Sequence, residues 1–202
     1  MRLNSFSSRT IRRAATAGAL LLAGMTGTAA TAIAAEPFES NLGEAANAYA
    51  AGDYLGSVAR LEEALAAARH KAPLDIRNFY SVEEKADYYG HFEPRTDNVY
   101  TANPTLFYYL EPKNLVFARS EDTYTGGFSI DVAIRNDANE VVLAQEDFIT
   151  FEFASRNLIN DVFTNITLNL TGAPAGNYAM EFTVHDLGSD KSAAVKDEIR
   201  IQ

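Results

Sequence analysis

The sequence predicts a mainly β protein, an antiparallel two-sheet sandwich preceded by a short α-helical hairpin. Residues 40–70 are rich in alanine and repeat apolar side chains with a helical period, whereas aromatic and β-branched residues dominate from Leu74 onward. Short alternating patterns then follow one another without intervening helices, which indicates antiparallel pairing. The clearest pattern is 178–185, where tyrosine, methionine, phenylalanine and valine alternate with smaller or polar residues. One face of that strand is expected in the core and the other in water.

Residues 1–35 are predicted to be a secretory signal peptide. They combine four arginines, no acidic residue, an apolar run and an alanine-rich end, so cleavage is expected after Ala34 or Ala35. The apolar run is shorter than the roughly 20 residues that a spanning helix needs, and no stable membrane span is expected after cleavage. Arg12-Arg13 raises the alternative of twin-arginine export, but no bulky apolar pair follows it, which favours Sec export. The expected location is periplasmic or secreted.

The chain that follows the predicted signal peptide is strongly acidic. Taking four arginines from the 17 basic residues leaves 13 against 27 acidic residues, a net charge of −14 with histidine neutral. Such a surface repels phosphate groups, which argues against binding to nucleic acid and to anionic lipid. The sequence has no cysteine, which excludes disulfides, thiolate catalysis and cysteine-bound metals.

Residues 36–72 are predicted to form one helical hairpin. Gly52 is expected to end the first helix in the left-handed conformation, and Asp53 to cap the second. Pro73 marks the boundary with the β region, 73–202, because proline disfavours helix in the residue before it. The expected apolar faces are Leu42, Ala45, Ala46 and Tyr49 of the first helix and Val58, Leu61, Ala64, Leu65 and Ala68 of the second.

Residues 48–65 resemble a single tetratricopeptide hairpin. Five residues stand at the matching places: Gly52, Tyr54, Leu61, Ala64 and Leu65. Ser57 stands where alanine is usual, and no second copy follows. The resemblance implies a groove for a partner peptide or a pairing surface for another helical protein. Because such repeats bury a continuous core only when about three or more stack, a local cap or spacer in front of the main domain is favoured.

The β region contains nine candidate strands. They lie at residues 75–82, 88–93, 105–111, 128–135, 141–144, 148–153, 162–170, 178–185 and 194–201. Residues 136–140 and 188–191 have turn compositions and are predicted to be hairpin loops. Strands of this number and spacing are typical of a two-sheet sandwich.

The end of the chain resembles a known kind of domain. The run Pro174-Ala-Gly-Asn-Tyr178, the strand that follows it and the final Ile199-Arg-Ile201 resemble the last hairpin of bacterial exported immunoglobulin and fibronectin III-like β-sandwich proteins. The resemblance covers roughly the final hundred residues and implies an immunoglobulin-like antiparallel β-sandwich. It implies a fold and no particular activity.

The sequence shows no motif for catalysis, for a cofactor or for a metal. His70 is expected at a helix end, His91 in an aromatic strand and His185 on a solvated strand face. No HExxH sequence, EF-hand loop or phosphate-binding loop is present. The run 186–190 offers oxygens to calcium but has an ordinary turn composition. No cofactor and no metal are therefore expected.

Candidate binding residues concentrate in the aromatic segment 88–109. They are Tyr88, Tyr89, His91, Tyr100, Phe107 and Tyr109. In the strand at 105–111, Tyr108 faces one way while Phe107 and Tyr109 face the other. Either both faces are buried, with Phe107 and Tyr109 beneath the helical hairpin, or one face exposes an aromatic platform for a partner or a glycan. The buried arrangement is favoured, because an exposed aromatic patch of this size is unusual without a ligand.

Together these observations favour a non-enzymatic exported interaction or structural module of the bacterial envelope, which binds a protein or envelope partner. The main alternative is a carbohydrate-binding module that uses surface tyrosines. A less favoured alternative is a hydrolase with an unrecognised site, for which His91 is the candidate base.

Overall fold

The computed structural model describes residues 38–202, so the predicted signal peptide lies outside the described residues. Two helices, α1 (Phe38–Ala50) and α2 (Tyr54–Lys71), precede nine strands. The strands are β1 Asp75–Val82, β2 Val99–Tyr100, β3 Thr105–Lys113, β4 Ala118–Ser120, β5 Thr123–Asn136, β6 Val141–Ser155, β7 Thr164–Asn169, β8 Gly176–Asp186 and β9 Ser192–Ile201. Neither α1 nor α2 is long and apolar enough to cross a membrane. The predicted mainly β fold with a preceding helical hairpin is confirmed.

The two helices pack against each other through small residues. Gly52 has a φ of 80°, and the Asp53 carboxylate accepts a hydrogen bond from the Gly56 amide at 2.9 Å, which confirms the predicted turn and cap. Of the expected apolar faces, only Ala45 and Ala64 are fully buried. Small residues between the helices let them approach closely. The larger apolar side chains therefore lie on the outer surface of the hairpin.

The strands form two sheets with immunoglobulin-like order. One sheet has the order β1-β3-β7, and the other has the order β2-β9-β8-β5-β4, with β6 also paired to β5. All pairs are antiparallel except β2 with β9. The orders β1-β3-β7 and β9-β8-β5-β6 correspond to strands A-B-E and G-F-C-C′ of an immunoglobulin sandwich.

The core lies between the two sheets. The Tyr108 ring of β3 lies 4.9 Å from the Phe182 ring of β8, so the sheets pack face to face. The alternation predicted for 178–185 is confirmed, because Tyr178, Met180, Phe182 and Val184 are all buried. The Tyr178 hydroxyl donates to the Pro174 carbonyl at 2.8 Å. A tyrosine that binds backbone just upstream of this strand is the tyrosine corner of immunoglobulin domains.

Several strand predictions need correction. Residues 88–93 form no strand, only an isolated bridge between Tyr88 and His91, because Gly90 with a φ of 72° turns the chain there. The two strands expected at 141–144 and 148–153 are one strand, β6, with a bulge where Asp147 has a φ of 48°. Strands β2 and β4 were not predicted, since two and three residues are too few to show alternation.

Candidate functional site

The helical hairpin presents a wide apolar surface to solvent. Within residues 38–202, eight of the seventeen exposed large apolar side chains lie on α1 and α2. We call this set the hairpin surface: Phe38, Leu42, Tyr49, Tyr54, Leu55, Val58, Leu61 and Leu65. Leu55 is 86% exposed, and Leu61 and Leu65 are each about half exposed. A concentration of exposed apolar side chains of this kind is typical of an interaction site.

The end of α2 is hydrogen-bonded to the sandwich. Lys191 Nζ donates to the backbone carbonyls of Arg69, at 3.0 Å, and of Asn114, at 3.2 Å. The Asn114 side chain in turn donates to the Pro73 carbonyl at 2.9 Å, and Arg69 donates to Asn160. No extensive contact joins α1 or α2 to any described strand. The hairpin surface is therefore left uncovered by the sandwich.

Phe107 and Tyr109 lie beneath the loop at 83–98, so the expectation that the helical hairpin covers them is wrong. The Phe92 ring stacks on the Tyr109 ring, with centroids 4.2 Å apart. The Tyr109 hydroxyl accepts a hydrogen bond from the Gly90 amide at 2.7 Å. Tyr109 is fully buried and Phe107 is half-buried, so this face of β3 is a second small core and not an exposed platform.

The other candidate residues divide between the surface and the interior. Tyr88, Tyr89 and His91 lie together at the outer turn of the loop, where Tyr88 is 72% exposed and His91 is exposed. The rings of Tyr88 and His91 are 6.4 Å apart. Tyr100 is buried, and its hydroxyl lies 2.6 Å from Ser81 Oγ. The structure therefore leaves three of the six candidates, Tyr88, Tyr89 and His91, accessible to a ligand.

A groove of about 500 Å³ lies where α2 meets the β1-β3-β7 sheet. We call it the junction groove, and its lining residues include Leu65, Arg69, Tyr89, Glu111, Lys113 and Asp161. Leu65 belongs to both the hairpin surface and the groove, so the two features are continuous. Tyr89 is the only candidate binding residue that lines the groove.

Glu111 is the buried charge of the junction groove. Its carboxylate accepts hydrogen bonds from the Tyr109 hydroxyl at 2.7 Å and the Tyr89 hydroxyl at 2.9 Å, and Lys113 Nζ lies 3.8 Å away. Burial by itself raises the pKa of Glu111, but hydrogen bonds from Tyr109, Asn78 and Tyr89 and the charge of Lys113 outweigh it. The pKa of Glu111 is therefore below its usual value, and the carboxylate is ionised at neutral pH.

Lys113 balances this charge. Burial lowers the pKa of Lys113, but its contact with Tyr89 and its hydrogen bond to Asp161 at 3.1 Å outweigh burial and leave the pKa above its usual value. The ammonium group also lies 4.7 Å from the centre of the Tyr89 ring. Because Glu111 and Lys113 are both ionised and bound to neighbours, this network fixes the position of Tyr89 and of the groove wall.

His185 is paired with a carboxylate on the larger sheet. His185 Nε2 lies 2.8 Å from Asp131 Oδ2 on the outer face of the larger sheet, and Ser129 stands opposite His185 on the neighbouring strand. Ser129 is 3% exposed, so a substrate does not reach its hydroxyl. The Asp186 carboxylate, considered above for calcium, accepts three hydrogen bonds from Val116, Gly188 and Ser189 and holds a turn.

No family model matches the chain, and no curated protein matches it. No family is identified. Similar solved structures include an alkylpurine DNA glycosylase, AlkC, of Pseudomonas fluorescens bound to DNA with an abasic site analog, at 11% identity and a TM-score of 0.36. That match covers 82% of this chain and 42% of the glycosylase, so the chain spans less than half of that protein.

Two further solved structures are similar at the same low level. A CARDB domain from Pyrococcus furiosus, in complex with di-metal ions, has 13% identity and a TM-score of 0.36, with 65% of this chain and 90% of the domain covered. A β-glucosidase of Listeria innocua in complex with glucose has 12% identity and a TM-score of 0.33, and the match covers 65% of this chain and 16% of the glucosidase. Likeness this low carries no functional argument.

Sequence reasoning missed Glu111 and Lys113, although the strand pattern contained a usable signal. Tyr109, Glu111 and Lys113 are spaced by two residues and therefore share one face of β3. Two opposite charges on the same face as a large aromatic residue indicate a polar network beside a small core. The hairpin surface was missed for a different reason, because helical periodicity identifies an apolar face without showing what covers it.

Proposed function

We propose that this protein is a non-enzymatic exported interaction protein of a bacterial envelope, located in the periplasm or secreted, which binds a helical protein partner through the hairpin surface. The observation that carries the proposal is that eight large apolar side chains of α1 and α2 are exposed while no described strand covers them. A single hairpin of this kind buries a continuous apolar core only when another helical unit stacks on it.

The helical packing supports this choice of partner. Because α1 and α2 approach each other through Ala45 and Ala64, the large residues form an outward stripe that includes Val58, Leu61 and Leu65. Such a stripe fits the apolar face of an amphipathic helix at i, i+3 and i+7 spacing. The sandwich then serves as the rigid part of the protein from which the hairpin projects.

Export is the second part of the proposal. It is supported by the basic, apolar and alanine-rich sections of residues 1–35. N-terminal sequencing of the protein from cell fractions tests this part. Recovery of the intact N-terminus from the cytoplasm contradicts it.

Site-specific photocrosslinking tests the binding surface. A photoreactive amino acid replaces Leu61, which is 48% exposed on the hairpin, or Leu187, which is 46% exposed on the sandwich, and the cells that export the protein are irradiated. The proposal expects a discrete adduct with another protein from position 61 and none from position 187. Equal adducts from both positions, or none from position 61 in correctly exported protein, contradict it.

Carbohydrate binding is the second candidate, supported by the exposure of Tyr88 and Tyr89. Tyr108 and Tyr109 are core residues and cannot serve in such a site without unfolding. Polysaccharide binding that disappears in Tyr88→Ala and Tyr89→Ala variants of unchanged thermal stability favours this candidate. Binding that survives both substitutions, or no binding by the wild type, argues against it.

A further inference from the structure

The last turn of α2 has a carbonyl group that the helix itself cannot satisfy. In an α-helix the carbonyl of Arg69 accepts from the residue four places later, which here is Pro73 and has no N–H. The carbonyl before it, of Ala68, is satisfied by the Ala72 amide at 2.9 Å. Lys191 Nζ takes the place of the missing amide and donates to the Arg69 carbonyl at 3.0 Å. A side chain of the sandwich therefore completes the end of α2.

Asn114 binds the same part of the chain from the loop that follows β3. Its φ is 65°, in the left-handed region that asparagine enters more readily than most residues do. Its side-chain amide donates to the Pro73 carbonyl at 2.9 Å, and its own carbonyl accepts from Lys191 Nζ at 3.2 Å. The two residues thus hold two carbonyls at the end of α2 and also bind each other. We call Lys191 and Asn114 the junction latch.

The chain beneath the junction latch is a short connection. Helix α2 ends at Lys71, and Leu74, which is 5% exposed, already belongs to the main core. Ala72 is extended, with a ψ of 148°, as expected for a residue before proline. No extensive contact joins α1 or α2 to any described strand. Two residues, 72 and 73, therefore form a hinge about which the hairpin can rotate unless the latch holds it.

Lys191 is held in place on the sandwich side. Its carbonyl accepts from the Asp186 amide at 2.9 Å, and its amide donates to Ser189 Oγ at 3.3 Å. Asp186 is 4% exposed, and its carboxylate accepts from Val116 and Gly188 as well as from Ser189. The turn that carries Lys191 is therefore fixed by a buried carboxylate, and the ammonium group approaches α2 from a rigid support.

We propose that the junction latch is a releasable lock on this hinge: it fixes the hairpin on the sandwich, and its release lets α1 and α2 swing as one unit about residues 72–73 and change the width of the junction groove. Leu65 and Arg69 line the groove from the helix, and Tyr89 and Lys113 line it from the sandwich. A swing of the hairpin therefore moves one wall of the groove relative to the other. The inference concerns the position of the hairpin and holds whatever the hairpin surface binds.

Double electron–electron resonance tests the lock. Because the sequence has no cysteine, two introduced cysteines are the only sites for spin labels. Ala59→Cys in α2 and Ala179→Cys in β8 replace exposed residues on the two sides of the hinge. Ala59 lies about 18 Å along the helix from Lys71, so a swing of about 15° moves it by about 5 Å. We expect one narrow distance distribution in the labelled parent and a shift or broadening of about 5 Å in Lys191→Met, which keeps most of the stem and removes the ammonium group.

Two further substitutions accompany Lys191→Met. Lys196→Met is the matched control, because it removes a lysine of β9 that is paired with Glu181 at 3.2 Å, and it is expected to leave the distribution unchanged. Asn114→Gly tolerates the positive φ but loses the donor to the Pro73 carbonyl, and it is expected to broaden the distribution less than Lys191→Met does. It keeps the test valid if Lys191→Met does not fold.

A second label pair reports on the sandwich alone. Thr105→Cys in β3 and Ala179→Cys in β8 place one label on each sheet at exposed positions. The distance between these labels is expected to stay the same in every variant. A change as large as that of the hairpin pair overturns the proposal, because the substitution then loosens the sandwich and not the hinge.

Three results from the hairpin pair also overturn the proposal. The first is an unchanged distribution in Lys191→Met, or in Asn114→Gly used in its place, which means that other contacts hold the hairpin, such as the exposed bond from Arg69 to Asn160. The second is a parent distribution as broad as that of the variants, which means that no lock exists. The third is equal broadening in Lys196→Met, which assigns the effect to the loss of any positive charge.

Discussion

The Tyr108 hydroxyl donates a hydrogen bond to Asp197 Oδ2 at 3.0 Å and thereby joins β3 of one sheet to β9 of the other. Tyr108 is fully buried, and Asp197 also accepts a hydrogen bond from the Asn98 side chain at 2.8 Å. The pair is thus a polar contact across the edge of an otherwise apolar core. Loss of the Tyr108 hydroxyl leaves the half-buried Asp197 carboxylate with one hydrogen-bond donor fewer.

Tyr108→Phe is expected to lower the free energy of unfolding by about 1 to 2 kcal/mol, because the ring is retained while Asp197 loses a donor. Urea denaturation at neutral pH measures the change. Tyr124→Phe is the control, since the Tyr124 hydroxyl has no hydrogen bond to any described residue, and it is expected to have little effect. A Tyr108→Phe variant as stable as the wild type contradicts the importance of this bond.

Asp197 is expected to make the protein less stable as the pH rises. Burial raises the pKa of Asp197 above its usual value and outweighs the hydrogen bonds that lower it. The folded state therefore binds the proton more tightly than the unfolded chain, whose aspartates titrate near pH ~3.9. The stabilisation is full below that pH and is lost as the pH rises through the folded pKa. Asp197→Asn should remove this part of the pH dependence, as measured by urea denaturation from pH 3 to 7.

Glu111→Gln is expected to have the opposite pH signature. The pKa of Glu111 is below its usual value, so its ionised form stabilises the protein above the unfolded pKa of about 4.3, and this contribution is lost as the pH falls through the folded pKa. The substitution should cost about 1 to 3 kcal/mol at pH 7, because it removes a charged acceptor from two tyrosine hydroxyls. The difference from wild type should shrink in acid, and a constant difference would contradict the ionised state.

Thr164→Val is expected to stabilise the protein. Thr164 is 3% exposed, and its hydroxyl is buried without a hydrogen-bond partner among the described residues. Since valine has nearly the same shape, the change removes a buried unsatisfied group and should add about 1 kcal/mol to the free energy of unfolding. Thr167→Val, at a half-buried position on the other face of β7, is the control and should change little. Loss of stability in Thr164→Val would show that the hydroxyl has a partner in solution.

Gly127→Ala is expected to destabilise the β5–β6 pair. A methyl group at Gly127 would lie 2.1 Å from the Phe151 carbonyl oxygen, which is backbone and has no rotamer to change. The cost should be about 1 to 3 kcal/mol by thermal or chemical denaturation. Gly43→Ala in α1 is the control, because nothing lies within 4 Å of the added methyl, and it should stabilise the helix by about 0.5 to 1 kcal/mol. A Gly127→Ala variant as stable as the wild type would show that β6 can shift away from β5 at little cost in free energy.

The sequence alone determined the fold class and most of the elements. The alternation at 178–185 and the turn at Gly52 and Asp53 are local properties, set by the side-chain period of a strand and by backbone conformation. These features need no distant partner, which is why their positions were predictable. Strand β1 was predicted with its observed bounds, Asp75–Val82, for the same reason.

Only the tertiary structure decided which apolar faces are covered. Phe107 and Tyr109 lie beneath the loop at 83–98, Leu61 and Leu65 lie in solvent, and Phe151 remains exposed at the end of a wide sheet. Periodicity shows that a face is apolar, but its cover depends on chain segments far away in sequence. The strand at 178–185 therefore identifies the sandwich, whereas the surfaces proposed for binding depend on how the hairpin and the loop are arranged around it.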